Sequence, residues 1–312
     1  METSELLRYI TALPVISAGL AEEMLTGNFR SVFKGQGMEF DEARHYQPGD
    51  DIRSIDWNAS ARFGTPWVKM YREERELTIL LLIDISPSMF RSGYRADYAH
   101  RLTPYEQGLL AAALIALSAE HTDQQAGALF FDNGIEKIFP PRKGRRHIMS
   151  LIMTALKYKN KVSQDKNKNG SNIASALSGA QRLLKRRSLV VVISDFFSLN
   201  WEQEMTNLSR KHDVIALRIC DPPELPWQGL VTIEDPETGV KIEAPAGTAY
   251  FRESWTAWQK ERSEHWVSQC RRSGASYLEL STTADVPYSL LKFFGGVYNP
   301  TSVSRSRKRL RK

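Results

Sequence analysis

Residues 80–89 read Leu-Leu-Leu-Ile-Asp-Ile-Ser-Pro-Ser-Met, an apolar run that ends in one acid and two hydroxyls. Such a run predicts a strand buried on both faces, as in a parallel sheet covered by helices. Ligands of open α/β sheets bind just beyond the carboxyl ends of these strands. Asp84, Ser86 and Ser88 offer the hard oxygen atoms that Mg²⁺ prefers. The stretch therefore predicts a metal site; the alternative is an ordinary helix N-cap, which Ser and Asp also favour.

A second stretch has the same character. Residues 188–194 read Ser-Leu-Val-Val-Val-Ile-Ser and are followed by Asp195, while Gly170-Ser171-Asn172-Ile173 precedes a helix-like stretch at 174–185. Further apolar runs at 214–219 and 276–280 alternate with helical patterns. This alternation predicts a doubly wound, mostly parallel α/β sheet over residues 76–296.

These segments resemble a von Willebrand factor A-type domain with its metal-ion-dependent adhesion site (MIDAS). In that family the metal is bound by an Asp-x-Ser-x-Ser loop, a Thr loop and a later Asp loop. Ser171 stands in the place of the Thr; it keeps the hydroxyl but lacks the methyl group that restricts χ1. The resemblance implies a site for Mg²⁺, with Mn²⁺ or Ca²⁺ as alternatives. Its ligands would be Asp84, Ser86, Ser88, Ser171 and Asp195.

A block rich in both charges lies before the first strand, at residues 35–62. Its arginines alternate with acids, and a guanidinium can hold a carboxylate bidentately. We expect residues 1–75 to form an N-terminal helix and a salt-bridged polar module docked on the main domain, with Arg44 and Arg53 in buried pairs. The alternative is an active site with His45 as the acid/base, although no nucleophile or full metal set accompanies it.

The same block resembles the signature of a bacterial family, domain of unknown function 58. The matching residues are Phe40, Arg44-His45-Tyr46, Pro48-Gly49-Asp50-Asp51, Arg53, Ile55-Asp56-Trp57 and Ala61-Arg62. The resemblance extends over roughly residues 20–245, through Ser194-Asp195-Phe196 and Asp221-Pro222. Family members are commonly encoded beside a MoxR-type AAA+ ATPase. The resemblance therefore implies that such an ATPase is a partner in chaperone-like maturation of a protein complex.

Charge and composition exclude several classes. Residues 305–312 carry six of the 42 basic residues, and the remaining 36 balance the 36 acidic residues. We therefore expect a disordered basic tail at 297–312 but no basic face for nucleic acid. Two cysteines show no metal or redox spacing. The sequence has no signal-peptide pattern and no apolar run long enough to span a membrane, which predicts a cytoplasmic protein.

Two other segments have distinctive compositions. Lys159–Gly170 is rich in lysine and asparagine and predicts a mobile loop beside Ser171. The stretch 254–272 carries tryptophans near helical spacing, and we expect this stripe to pack in the core or against the sheet.

The function that these patterns favour is a protein-binding module without enzymatic activity. A metal at the predicted site would leave one coordination position for an acidic side chain of a partner. The alternative is a metal-dependent hydrolase or phosphotransferase with Asp84 as nucleophile. Ser86, however, occupies the position two residues on, where a phosphoaspartyl enzyme needs an acid, and the serines lie on no Gly-x-Ser-x-Gly elbow.

Overall fold

The structure is a computed structural model that describes residues 14–26, 37–74, 77–90, 102–161, 170–220, 229–234 and 241–295. The strands of this part of the chain are β1 (Gly37–His45), β2 (Trp67–Glu74), β3 (Thr78–Asp84), β4 (Gln125–Phe131), β5 (Ile135–Arg142), β6 (Leu189–Ser194), β7 (Asp213–Cys220), β8 (Val231–Glu234), β9 (Lys241–Ala244) and β10 (Ser276–Ser281). The helices are α1 (Pro14–Thr26), α2 (Trp57–Phe63), α3 (Pro87–Phe90), α4 (Pro104–His121), α5 (Arg145–Lys161), α6 (Ile173–Leu183), α7 (Glu202–Ser209), α8 (Ala249–Arg272) and α9 (Val286–Phe294).

Six strands form the central sheet, in the order β10-β7-β6-β3-β4-β5. All neighbours are parallel except β5, which pairs antiparallel with β4. From β3 the chain first adds β4 and β5 on one side and later adds β6, β7 and β10 on the other. This is the predicted doubly wound, von Willebrand factor A-like α/β sheet, and its topological switch point lies between β3 and β6, where such sheets bind ligands.

The side chains of the central strands alternate between two apolar cores. Ile79, Leu81 and Ile83 face the layer that contains α1, α4, α5 and α9. Leu80 and Leu82 face the layer of α6, α7 and α8. Helices cover both faces, so polar residues are excluded until the strand ends, which explains the uninterrupted apolar run.

The N-terminal helix α1 packs on the main domain. Leu20 and Met24 are buried in the core with α4, and Ser118 Oγ donates a hydrogen bond to the Ser17 carbonyl (3.0 Å). The proline at residue 14 is the first residue of this helix, where its missing N–H costs nothing.

The charged block forms a small unit of its own. β1 and β2 pair antiparallel, and a 3₁₀ turn (Ile52–Ser54) and α2 lie between them. Arg44 binds Asp50 through two hydrogen bonds of 2.7 and 2.8 Å. Both side chains are partly exposed, so the expectation of a buried pair at Arg44 was wrong. Docking of this block on the main domain stays a prediction.

The remaining sequence predictions concern a loop, the tryptophan stripe, the basic tail and membrane spans. Helix α5 continues to Lys161, so residues 159–161 are helical and not part of a loop, and residues 162–169, on which the rest of that prediction falls, lie outside the described part of the chain. In α8, Trp266 is buried but Trp258 is not, so the tryptophan stripe belongs to the core only in part. The basic tail at 297–312 lies outside the described residues. No helix in the part that the structure describes is long and apolar enough to cross a membrane.

At Gly127 the backbones of β4 and β5 approach each other closely. A Cβ at this position would lie 2.5 Å from the Phe139 carbonyl oxygen and 2.7 Å from the Pro141 nitrogen, both of them backbone atoms. We expect Gly127→Ala to destabilise the protein by roughly 1–3 kcal/mol, because backbone must move to admit the methyl group. The matched control is Gly134→Ala in the next turn, where a Cβ meets nothing within 4 Å. Equal urea midpoints for the two variants would contradict this account.

Candidate metal centre

The carboxyl ends of β3 and β6 bring three loops together. These strands are parallel neighbours with Ile83 opposite Ile193, so Asp84 and Ser194 end them side by side. Ser86 directly precedes α3, Ser88 is the second residue of that helix, and Ser171 lies two residues before α6. Asp195 follows β6 directly.

Asp84 is the centre of the hydrogen bonds at this edge. Its Oδ2 accepts from Ser171 Oγ (2.8 Å) and from Ser194 Oγ (2.6 Å), and its Oδ1 accepts from the Ser86 backbone N–H (2.8 Å). The Asp84 side chain is completely buried. One carboxylate thus links the ends of two strands with the loop before α6.

Asp195 joins the same cluster through the first loop. The Ser86 and Ser88 hydroxyls lie 3.1 Å apart, and the Ser88 side chain acts to lower the pKa of the Asp195 carboxyl. Asp195 Oδ1 also accepts from the Phe197 backbone N–H (3.1 Å). The structure therefore brings the five predicted residues to one edge of the sheet, where hydrogen bonds link Asp84, Ser86, Ser88 and Ser171.

Ser194 is a member of this group that the sequence reasoning missed. Its hydroxyl donates to Asp84 and accepts from the Phe196 backbone N–H (3.0 Å), and it is fully buried. Its position in the sequence could have indicated this role, because Ser194 is the last residue of an apolar strand and the neighbouring strand ends in Asp84.

Burial and the repulsion between their charges disfavour the simultaneous ionisation of Asp84 and Asp195. Burial first, and then the charge of Asp195, raise the pKa of Asp84 to about 7, against the opposing hydrogen bonds from Ser194 and Ser86. Burial also raises the pKa of Asp195, while Ser88 and the charges of Arg262 and Arg218 act in the opposite direction. Like charges held close in a dry site repel each other, and a cation between them would relieve that repulsion.

The donor set fits a hard divalent cation. It consists of carboxylate and hydroxyl oxygens, the ligands of Mg²⁺, Mn²⁺ and Ca²⁺. Within the described ranges no ion pair joins a Lys or Arg to Asp84 or Asp195, so neither carboxylate is neutralised by direct pairing there. The same ranges hold no group of three or more His, Cys, Asp or Glu placed to bind a metal, so hydroxyls would have to complete the ligand set.

Most of the chain matches one known protein family. The family model described as "Protein of unknown function DUF58" matches residues 42–265. The chain belongs to this family. The match spans most of the charged block and all residues of the oxygen cluster, so both features lie within the DUF58 region.

The DUF58 chain also has curated relatives in mycobacteria. Uncharacterized proteins of Mycobacterium tuberculosis and Mycobacterium bovis are 29% identical to it over 274 residues, which is 86% of this chain and 83% of theirs. A shorter uncharacterized protein of Mycobacterium avium is 30% identical over 125 residues, covering 39% of this chain and 73% of that protein.

Solved structures show weaker similarity. An aerotolerance-related membrane protein from Bacteroides fragilis aligns with a TM-score of 0.43 and 16% identity, over 70% of this chain and 96% of that one. Proximal thread matrix protein 1 from the mussel byssus aligns with a TM-score of 0.32 and 16% identity, over 46% and 37%. Similarity at this level supports no conclusion about the DUF58 chain.

The raised pKa of Asp84 predicts a pH dependence of stability. Between about pH 4 and 7 the folded state keeps a proton on Asp84 that the unfolded state releases, so without metal the free energy of unfolding should fall as the pH rises through this window. Asp84→Asn cannot lose that proton, and its stability should vary less over the same range. Urea unfolding in EDTA at several pH values measures the difference, which should be on the order of a few kcal/mol. Parallel pH profiles for the two proteins would show that Asp84 does not titrate in this way.

Proposed function

We propose that this DUF58 protein is a metal-dependent protein-binding module and not an enzyme. The residues proposed to hold the metal are Asp84, Ser86, Ser88, Ser171 and Asp195, with Mg²⁺ as the first candidate and Mn²⁺ or Ca²⁺ as alternatives. The observation that carries the proposal is the pair of buried carboxyl groups at the switch point of the sheet, with serine hydroxyls from separate loops beside them.

The chain's own groups have distinct roles in this proposal. Asp84 and Asp195 supply the negative charge that attracts a divalent cation, and the hydroxyls of Ser86, Ser88 and Ser171 supply neutral oxygen ligands. A bound cation would provide a positive charge in a partly dry cleft, where it attracts the carboxylate of a partner protein. Ser194 holds Asp84 in position from the neighbouring strand.

The hydrogen-bond partners of the serines favour binding over catalysis. Ser171 and Ser194 donate to the Asp84 carboxylate, and the Ser86 and Ser88 hydroxyls are hydrogen-bonded to each other. An activated serine nucleophile is most often hydrogen-bonded to a histidine that accepts its proton. The described contacts of these hydroxyls include no such base.

The proposed partner is a MoxR-type AAA+ ATPase or its client, bound through an acidic side chain. This part rests on family membership and on the resemblance noted in the sequence. It implies an adaptor in chaperone-like maturation of a protein complex, and a cytoplasmic location.

Metal binding should stabilise the fold, because only the folded state brings the ligands together. At a free Mg²⁺ concentration of about 100 times Kd, the free energy of unfolding should rise by about 2.7 kcal/mol. We expect Asp84→Asn to abolish this increase. Asp285→Asn is the matched control, since the Asp285 side chain caps α9 by accepting from the Tyr288 N–H, and Asn can serve as the same N-cap. Thermal melts and calorimetric titration with Mg²⁺ and Mn²⁺ measure the effect; equal responses of wild type and Asp84→Asn would refute the site.

Partner capture should depend on the same residues. Tagged protein should retain a MoxR-type ATPase of the same genome in Mg²⁺ and lose it in EDTA, and Asp84→Asn should fail in both buffers. Asp285→Asn should behave as wild type. Retention unaffected by EDTA and by Asp84→Asn would overturn the metal-bridged mechanism. Hydrolysis of p-nitrophenyl phosphate that disappears in Asp84→Asn would favour the hydrolase alternative.

A further inference from the structure

The segment after Asp195 is held in an unusual conformation. Phe196 and Asn200 have positive φ angles of 54° and 60°, which are uncommon for residues other than glycine. Phe196 is buried, with its ring centroid 5.3 Å from that of Trp201 and 5.5 Å from that of Trp266. This anchor fixes the start of the turn, and the next residues are directed to the surface: Phe197 is 49% exposed and Leu199 is 80% exposed.

Helix α8 extends this surface. The Arg262 guanidinium carbon lies 3.3 Å from the centre of the Phe197 ring and 5.7 Å from that of Trp258. Trp258 is 46% exposed, although a tryptophan in a predicted core stripe would be covered. Phe197 and Trp258 flank the partly buried Arg262, and the exposed Leu199 follows Phe197 by two residues; we name these four residues the aromatic shelf.

The aromatic shelf is continuous with the candidate metal centre. Arg262 Nη2 donates a hydrogen bond to the backbone carbonyl of Asp195 (3.2 Å), and the Phe197 N–H donates to the Asp195 carboxylate. A group bound at the oxygen cluster would thus have the shelf beside it. Exposed apolar side chains gathered next to a ligand site are a feature of interaction surfaces.

We propose that the aromatic shelf docks a segment of a partner protein in which an acidic residue lies next to an apolar or aromatic residue. This inference rests on the proposed function: the acidic side chain would bind at the metal centre, and its apolar neighbour would cover Leu199 and Trp258. Charge supports this assignment, because a divalent cation and Arg262 both favour an anionic group here. Apolar contact adds affinity and selects among acidic segments.

Nucleic acid is a poorer occupant of this surface. Aromatic and arginine side chains can stack on bases, but such proteins also need a basic groove along the backbone. Outside residues 305–312 the chain has 36 basic and 36 acidic residues, so no such excess is available. Leu199 offers apolar contact without stacking.

The test is selection from a phage-displayed library of random peptides on the full chain in Mg²⁺. Four proteins are compared: wild type, the shelf variant Leu199→Ser/Trp258→Ser, the control Ile138→Ser/Tyr288→Ser, and Asp84→Asn. The control removes one aliphatic and one aromatic side chain that are also exposed, on β5 and α9. Thermal melts establish that each variant is folded.

We expect wild type and control to enrich peptides with an acidic residue beside an apolar one, eluted by EDTA. The shelf variant should keep the acidic preference and lose the apolar one, and it should bind a synthetic selected peptide about tenfold more weakly. Asp84→Asn should enrich neither feature.

The contrary outcomes separate the two proposals. Acidic peptides eluted by EDTA but without an apolar preference on wild type would overturn the shelf and leave the metal-dependent function standing. Apolar peptides that bind equally in EDTA would overturn the coupling of shelf and metal centre. The absence of any Mg²⁺-dependent peptide would overturn the proposed function together with this inference. If wild type binds a single-stranded oligonucleotide and the shelf variant does not, nucleic acid would be the occupant of the shelf and the peptide proposal would be overturned.

Discussion

Asp84 and Asp195 bury two carboxyl groups close together at the carboxyl edge of the sheet, where their negative charges repel each other. Burial and mutual charge raise the pKa of Asp84 to about 7, so the ionised pair is costly in the absence of a positive charge. Serine hydroxyls and backbone N–H groups offset part of this cost by donating hydrogen bonds. A site with this balance is suited to a hard cation, and its affinity would depend on how firmly the strands hold the two acids.

The scaffold provides that firmness through close packing. Strands β3 and β6 are covered on both faces, and α4 approaches them closely at Gly108, where a Cβ would lie 2.8 Å from a methyl carbon of Ile193. Ile193 immediately precedes Ser194 and Asp195. The positions of the two hydrogen-bonding residues are thus set by a densely packed core, in which small displacements are resisted.

The DUF58 region joins this scaffold to the charged block. The family match begins within the block and extends through the oxygen cluster to α8. Within the block, Arg44 and Asp50 pair at the surface and Asp56 caps α2 through the N–H groups of Asn58 and Ala59. These contacts shape a compact unit in which Arg44 and Asp50 stay partly exposed.

The sequence by itself determined the strands and the acids that end them. A strand covered by helices on both faces must be apolar throughout, so the runs that end at Asp84 and before Asp195 could be recognised without a structure, and parallel strands bring their ends to one edge. Only the tertiary structure decided which other residues join them. Ser194 was hidden because a serine at a strand end has many uses, and Arg262 reaches Asp195 across 67 residues of sequence. The surface positions of Leu199, Trp258 and the Arg44–Asp50 pair depend on backbone angles and on packing between distant elements, which periodicity does not encode.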